Sequence, residues 1–167
     1  LSSEVYSGRG GMIGINKQNK LILGKMNANQ ARTKGIRDGV TFGPYLMMNG
    51  ETSTTYGNGG MGTAPRTAIA QRADGIILFL VLDGNRTLGQ GATMNNLIEI
   101  FKNYGAVNAA NLDGGTSTGM TVKGKLVNDP TNLKGSHSTR PVATAFILTS
   151  DGSDDGDYSV VKNKVDN

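Results

Sequence analysis

TMNNLIEIFKNYGAVNAANLDGG, residues 93–115, carries two periodicities in succession and ends on a carboxylate. Met94, Leu97, Ile98 and Phe101 fall at i, i+3, i+4 and i+7, Thr93 suits an N-cap and Gly105 suits the C′ position. This predicts a helix from Thr93 to Tyr104. A single apolar stripe on a helix needs a surface to cover it. The residues that follow, Val107 to Leu112, read as a short strand ending at Asp113, so the cover is a sheet and the class is α+β.

Working outward, residues 66–84 (RTAIAQRADGIILFLVLDG) read as a hairpin turning at Ala73-Asp74-Gly75. Its second arm, Ile76 to Leu82, is apolar on both faces, which predicts a central strand. Residues 12–23 read as two strands around an Asn/Lys turn. Residues 120–127 read as a hairpin about Lys123-Gly124, and residues 141–149 (PVATAFILT) as a final strand. The expectation is one α+β domain over residues 1–149, a mixed, mostly antiparallel β-sheet packed with a few helices. Residues 150–167 form an acidic tail or linker with little to bury. Within that tail Asp151, Ser153, Asp155 and Gly156 match the start of a calcium loop, but Lys162 stands where a bidentate acid is needed.

Composition narrows the chemistry. The 167 residues include 25 glycines and no cysteine. Thiolate nucleophiles, Cys-ligated zinc and disulfides are therefore excluded. Glycine at about twice its ordinary share implies many tight turns. No apolar run approaches the ~18 residues of a membrane-spanning helix. The net charge of +4 is uneven. Residues 149–167 hold five Asp and two Lys, a balance of −3, so residues 1–148 carry +7. A basic body favours anionic partners. Its Lys and Arg lack aromatic interleaving, which points to phosphate or an anionic polymer and not to nucleic acid.

The candidate site gathers at strand ends. After Asn111-Leu112-Asp113 the chain runs into Gly114-Gly115-Thr116-Ser117-Thr118, whose N–H groups and hydroxyls could surround an anion. A carboxylate beside such a nest repels phosphate, so its presence argues for proton transfer or for work on a reacting carbon. An Asx turn is the simpler alternative. Arg66, at the entry to a strand, could clamp a phosphate with its planar fork or sit in a surface ion pair. Asp83, in Leu82-Asp83-Gly84, repeats the pattern of Asp113 and could pair with it as glycosidase carboxylates do, or serve a turn. His137, the only histidine, lies in a polar loop with no acid near it in sequence.

Gly35-Ile36-Arg37-Asp38-Gly39-Val40-Thr41-Phe42-Gly43-Pro44, Asn49-Gly50, Pro65-Arg66-Thr67-Ala68-Ile69, Asp74-Gly75, Asp83-Gly84, Gly91-Ala92-Thr93, residues 105–115 and residues 140–146 resemble, in order, the blocks of the phosphodiester glycosidase family. The resemblance covers residues 10–148. It implies hydrolysis of a sugar 1-phosphodiester on the anomeric side, leaving a phosphomonoester, on a cell-surface or exopolysaccharide glycan. It implies Asp113 at the reacting carbon and Arg66 on the phosphodiester, and Asp83 remains a catalytic candidate on its strand-end pattern. Asn49, Thr67, Asn111, Gly114, Gly115, Thr116, Ser117 and Arg140 would bind substrate. The alternative is a catalytically silent domain that holds phosphorylated glycans of the cell envelope. No residue cluster has metal-ligand spacing, so neither metal nor cofactor is expected. Bacterial members of the family commonly act outside the cytoplasm, and the same location is expected here. The family's usual Asn-Gly-Gly-Phe-Phe-like segment is replaced by Ser7-Gly8-Arg9-Gly10-Gly11, as if an N-terminal part were missing. Thr116-Ser117-Thr118 stands where paired serines are usual.

Overall fold

The computed structural model describes residues 10–129, 131, 136–137 and 139–149. The chain forms β1 (Gly11–Asn16), β2 (Leu21–Gly24), α1 (Ala28–Thr33), β3 (Ile36–Phe42), β4 (Tyr45–Met48), β5 (Glu51–Thr52), β6 (Arg66–Arg72), β7 (Ile77–Leu82), α2 (Met94–Asn103), β8 (Ala106–Leu112), β9 (Thr121–Val122) and β10 (Lys125–Leu126). β2-β1-β3 make a three-stranded sheet, β5-β4-β8-β6-β7 a five-stranded sheet, and β9 and β10 a separate ribbon. The strand pairs described are all antiparallel.

Alternation along the strands builds four layers. On β1, Met12 faces α1 with Met26, Ala31 and Ile36, while Ile13 faces the larger sheet with Leu21, Ile69 and Ala110. The opposite face of the larger sheet carries α2 through Met94, Leu97, Ile98 and Phe101. Ala68, Ala70, Ala106 and Ala109 lie beneath that helix. Their small side chains let it approach closely enough for Phe101 and Leu97 to be buried.

Gln71 ties the layers together. Its Oε1 accepts from Leu21 N at 2.8 Å, and its Nε2 donates to Asn19 O and Gly75 O at 2.8 and 2.9 Å. A buried amide is tolerated there because both ends are satisfied.

The expected helix is α2, capped by Thr93 and Asn96 in a capping box and followed by Gly105 at φ +73°. The three hairpins also form where expected. Two expectations need correction. β7 is an edge strand, not a central one. Its two apolar faces are explained by cover on both sides: Leu78, Leu80 and Leu82 pack toward α2's cluster, Ile77 joins the inter-sheet cluster, and Phe79 meets Phe146 at 6.4 Å. Residues 141–149 form no strand. They have strand-forming composition but no hydrogen-bonded neighbour strand among the described residues, and of the segment Phe146 packs into the core. The acidic tail and its calcium-loop pattern lie outside the described residues.

Candidate active site

β8 lies between β4 and β6 and delivers Asp113 at its C-terminal end. The chain then turns sharply across β6. Gly115 N donates to Pro65 O at 2.8 Å, and a Cβ on Gly114 would sit 2.7 Å from that same carbonyl. Only glycine permits this approach. A short 3-10 turn, Gly115–Ser117, follows. Gly115 enters it at φ +59°.

The turn brings Ser117 back to Asp113, where its Oγ donates to Oδ2 at 2.8 Å. Arg140 completes the cluster. Its Nη2 donates to the same Oδ2 at 2.5 Å and its Nε to Ser117 Oγ at 2.7 Å. Its main-chain N donates to Thr116 O at 3.0 Å. Both side-chain contacts of Asp113 therefore fall on Oδ2, and Oδ1 has no partner among the described residues. The carboxylate is fixed through one oxygen, with its side chain about half exposed.

The loop is less of an anion nest than the glycines suggest. The N–H groups of Gly115, Ser117 and Thr118 are already spent on the carbonyls of Pro65, Gly114 and Gly115. Arg66 begins β6 beside this loop but is buried. Its Nε donates to Ala92 O at 2.9 Å, and its Nη2 to Met61 O and Gly62 O at 3.2 and 2.6 Å. Thr67 pairs with Leu112 across the strands, and its Oγ1 is buried with no hydrogen-bond partner among the described residues. Asn111 is buried and holds the cis Gly43–Pro44 turn, its N donating to Pro44 O and its Nδ2 to Gly43 O. Among the described residues its Oδ1 has no partner, and neither does Oγ1 of the buried Thr118.

Asp83, at the end of β7, organises the rim and does not face Asp113 through any hydrogen bond described. Its Oδ1 accepts from Asn128 Nδ2 at 2.7 Å and its Oδ2 from Asp129 N at 2.8 Å. Asn128 in turn accepts from Met120 N at 2.8 Å. His137 does have an acid beside it, contrary to the reading from sequence, since Asp129 Oδ1 lies 2.6 Å from its Nδ1. Asn128 and Asp129 escaped sequence reading, their only signal being a polar turn after a hairpin. Asn49 is not brought to this site. It occupies the β4–β5 turn at φ +52°, donating to Asn108 Oδ1. Asn108 lies five residues before Asp113, about 16 Å away along β8.

Residues 3–149 match the family model described as phosphodiester glycosidase. The SPbeta prophage-derived uncharacterized protein YomE of Bacillus subtilis (strain 168) is 31% identical over 109 residues, which is 63% of this chain and 17% of that protein. Among solved structures, the zebrafish N-acetylglucosamine-1-phosphodiester alpha-N-acetylglucosaminidase catalytic domain, auto-inhibited by its pro-peptide, is similar. The two share a TM-score of 0.62 and 21% identity over 80% of this chain and 49% of that one. A hypothetical protein from Synechocystis aligns with a TM-score of 0.52 and 28% identity over 72% of this chain and 23% of that one. The chain thus spans about a sixth of the curated relative and half or less of the two solved structures.

Proposed function

Since the chain belongs to the phosphodiester glycosidase family, we propose that it hydrolyses a sugar 1-phosphodiester, releasing the free sugar and a phosphomonoester. The observation that carries this reading is the Asp113 carboxylate, oriented through Oδ2 by Ser117 and Arg140, its Oδ1 without a partner among the described residues. Positive charge developing at an anomeric carbon is stabilised by a carboxylate held still beside it. The Arg140 guanidinium offers the diester phosphate a cation next to that carbon, and Ser117 Oγ a hydroxyl. A phosphate drawn to Arg140 competes with Asp113 for the same fork. Productive binding therefore loosens the ion pair and leaves the carboxylate for the sugar.

In this reading Asp113 acts on the reacting carbon, and Arg140, Ser117, Thr116, Gly114 and Gly115 line the phosphate side. Asp83 holds the rim through Asn128 and Asp129. Arg66 and Asn111 hold neighbouring main chain. The site of action is a glycan outside the cytoplasm, and the chemistry uses no metal. Incubation with a panel of sugar 1-phosphate diesters, assayed for reducing sugar, tests the reaction. Binding without turnover across the panel favours a silent phosphoglycan-binding domain. Activity lost in EDTA and restored by one divalent cation overturns the metal-free chemistry.

A further inference from the structure

Six consecutive residues, Gly57 to Gly62, have left-handed backbone, with φ of +56°, +37°, +66°, +81°, +60° and +62°. Two of them, Asn58 and Met61, are not glycine, and for Met61 above all this backbone is strained, since Asn tolerates it and a longer L side chain does not. A free loop relaxes from such a conformation, so this one persists because the surrounding structure holds it.

The fastening is visible. Arg66 takes the carbonyls of Met61 and Gly62. The first N–H groups of α2 take two more, Asn95 N donating to Gly59 O at 3.0 Å and Met94 N to Gly60 O at 3.4 Å. Thr55 Oγ1 donates to Asn95 Oδ1 at 2.7 Å. Those helix N–H groups are consequently spent on the loop and do not form an anion site.

While its base is fastened, the loop presents two large apolar side chains to solvent. Tyr56 is 84% exposed and Met61 55% exposed. Exposing them on a rigid strap gains nothing for folding. The strap and the Asp113 loop also share one anchor, the Pro65-Arg66 step: Gly115 N bonds Pro65 O, and the Arg66 side chain holds the carbonyls of Met61 and Gly62.

We propose that the 56–62 strap is the second wall of the substrate site, with the exposed ring of Tyr56 as the platform on which a pyranose ring stacks. Arg66 is then a positioning residue that sets this wall against the Asp113 loop. One face of a pyranose is largely C–H, and an exposed aromatic ring on a rigid mount covers it at little entropic cost. The inference rests on the glycosidic reading of Asp113, and the ring is either the transferred sugar or a sugar on the far side of the phosphate.

Two measurements separate the platform from the reaction. Steady-state kinetics of wild type, Tyr56→Ala and Tyr56→Phe are run with the best diester of the panel, as its methyl ester and as its ester to a hexose hydroxyl. Binding of the same diesters and of methyl pyranosides is followed by calorimetry on these variants in an Asp113→Asn background. Tyr56→Ala is expected to raise KM and Kd about tenfold or more, with kcat within about threefold and Tyr56→Phe near wild type. A loss with both esters assigns the platform to the transferred sugar, and a loss with the hexose ester alone assigns it to the far ring. Kd for Tyr56→Ala within twofold of wild type for every probe overturns the platform, whatever the turnover. Pyranosides that bind wild type and not Tyr56→Ala, in a protein that turns over no diester, keep the platform and sink the glycosidase reading. A wild type that binds none of the probes overturns both.

Discussion

Replacing Arg140 with alanine removes one side chain from two different accounts. For stability it deletes an ion pair whose side chains are 55% and 49% exposed, together with the Nε bond to Ser117. Exposed pairs contribute ~0–1 kcal/mol, and a solvent-screened guanidinium–hydroxyl hydrogen bond ~1 kcal/mol. At ~2–4 °C per kcal/mol for a domain of this size, the melting temperature should fall by no more than about 2–8 °C. For catalysis it removes a forked cation from the diester phosphate and frees Asp113 from its tether. A lost charge-assisted contact of ~2–4 kcal/mol lowers kcat/KM by roughly 30-fold to 1000-fold. Arg140→Lys restores charge but not the fork, so about one decade should return. The effect on an Asp113→Asn background should be far from additive, because the two side chains act through one contact. Thermal melts and reducing-sugar kinetics on wild type, the three single variants and the Arg140→Ala/Asp113→Asn double variant decide the matter. A melting temperature lower by more than ~8 °C with kcat/KM within threefold of wild type makes Arg140 a structural staple and refutes its placement on the phosphate.

Asp113→Asn should lower kcat by about 10³-fold, or ~4 kcal/mol, with KM nearly unchanged, since the carboxylate serves a charge that develops only in the transition state; a rise confined to KM speaks against that role. Gly91→Ala should destabilise by at least ~3 kcal/mol, because the new Cβ falls 2.3 Å from Ala64 C at φ +126° and opens the Ala64–Ala92 bridge. Gly62→Ala, at φ +62° with nothing within 4 Å, should cost only ~1 kcal/mol, and equal melting temperatures for the two variants contradict the steric argument. Burial pushes the Tyr45 phenol up, with the Gly24 N–H bond pulling it back. A raised folded value means that this stability is complete below about pH 10 and lost as pH rises through the shifted value. The fall in melting temperature above pH 10 should be steeper in wild type than in Tyr45→Phe, and parallel curves would show the phenol is not the cause.

What sequence conveys here is what lies within one turn of helix or one hairpin. α2 was legible because its stripe, its Thr93 cap and Gly105 agree, and the Asp113–Ser117 contact spans only four residues. β7 misled because an apolar two-faced strand signals burial on both faces, and Phe146 supplies cover from a segment outside the sheet. α1 was missed because six residues give too short a period, although its Asn27–Gln30 capping box is a local signal. The arrival of Arg140 at Asp113 had no local signal in spacing. It depends on the path of the intervening chain, which Asp83 pins by bonds to Asn128 and Asp129, 45 and 46 residues away. Arg66 was readable as the start of a strand, but the direction of its guanidinium is set by carbonyls from two loops that sequence does not place.

β8 has hydrogen-bonded neighbours on both sides, whereas the segment bearing Arg140 has none in any sheet. Amide exchange should therefore be slowest along β8 and fast over residues 141–149, making the site a fixed anvil faced by a compliant jaw. Substitutions in the jaw can retune which anion is gripped, and for how long, while leaving the alignment of the carboxylate unchanged. Within such a fold, substrate preference is free to drift faster than the chemistry.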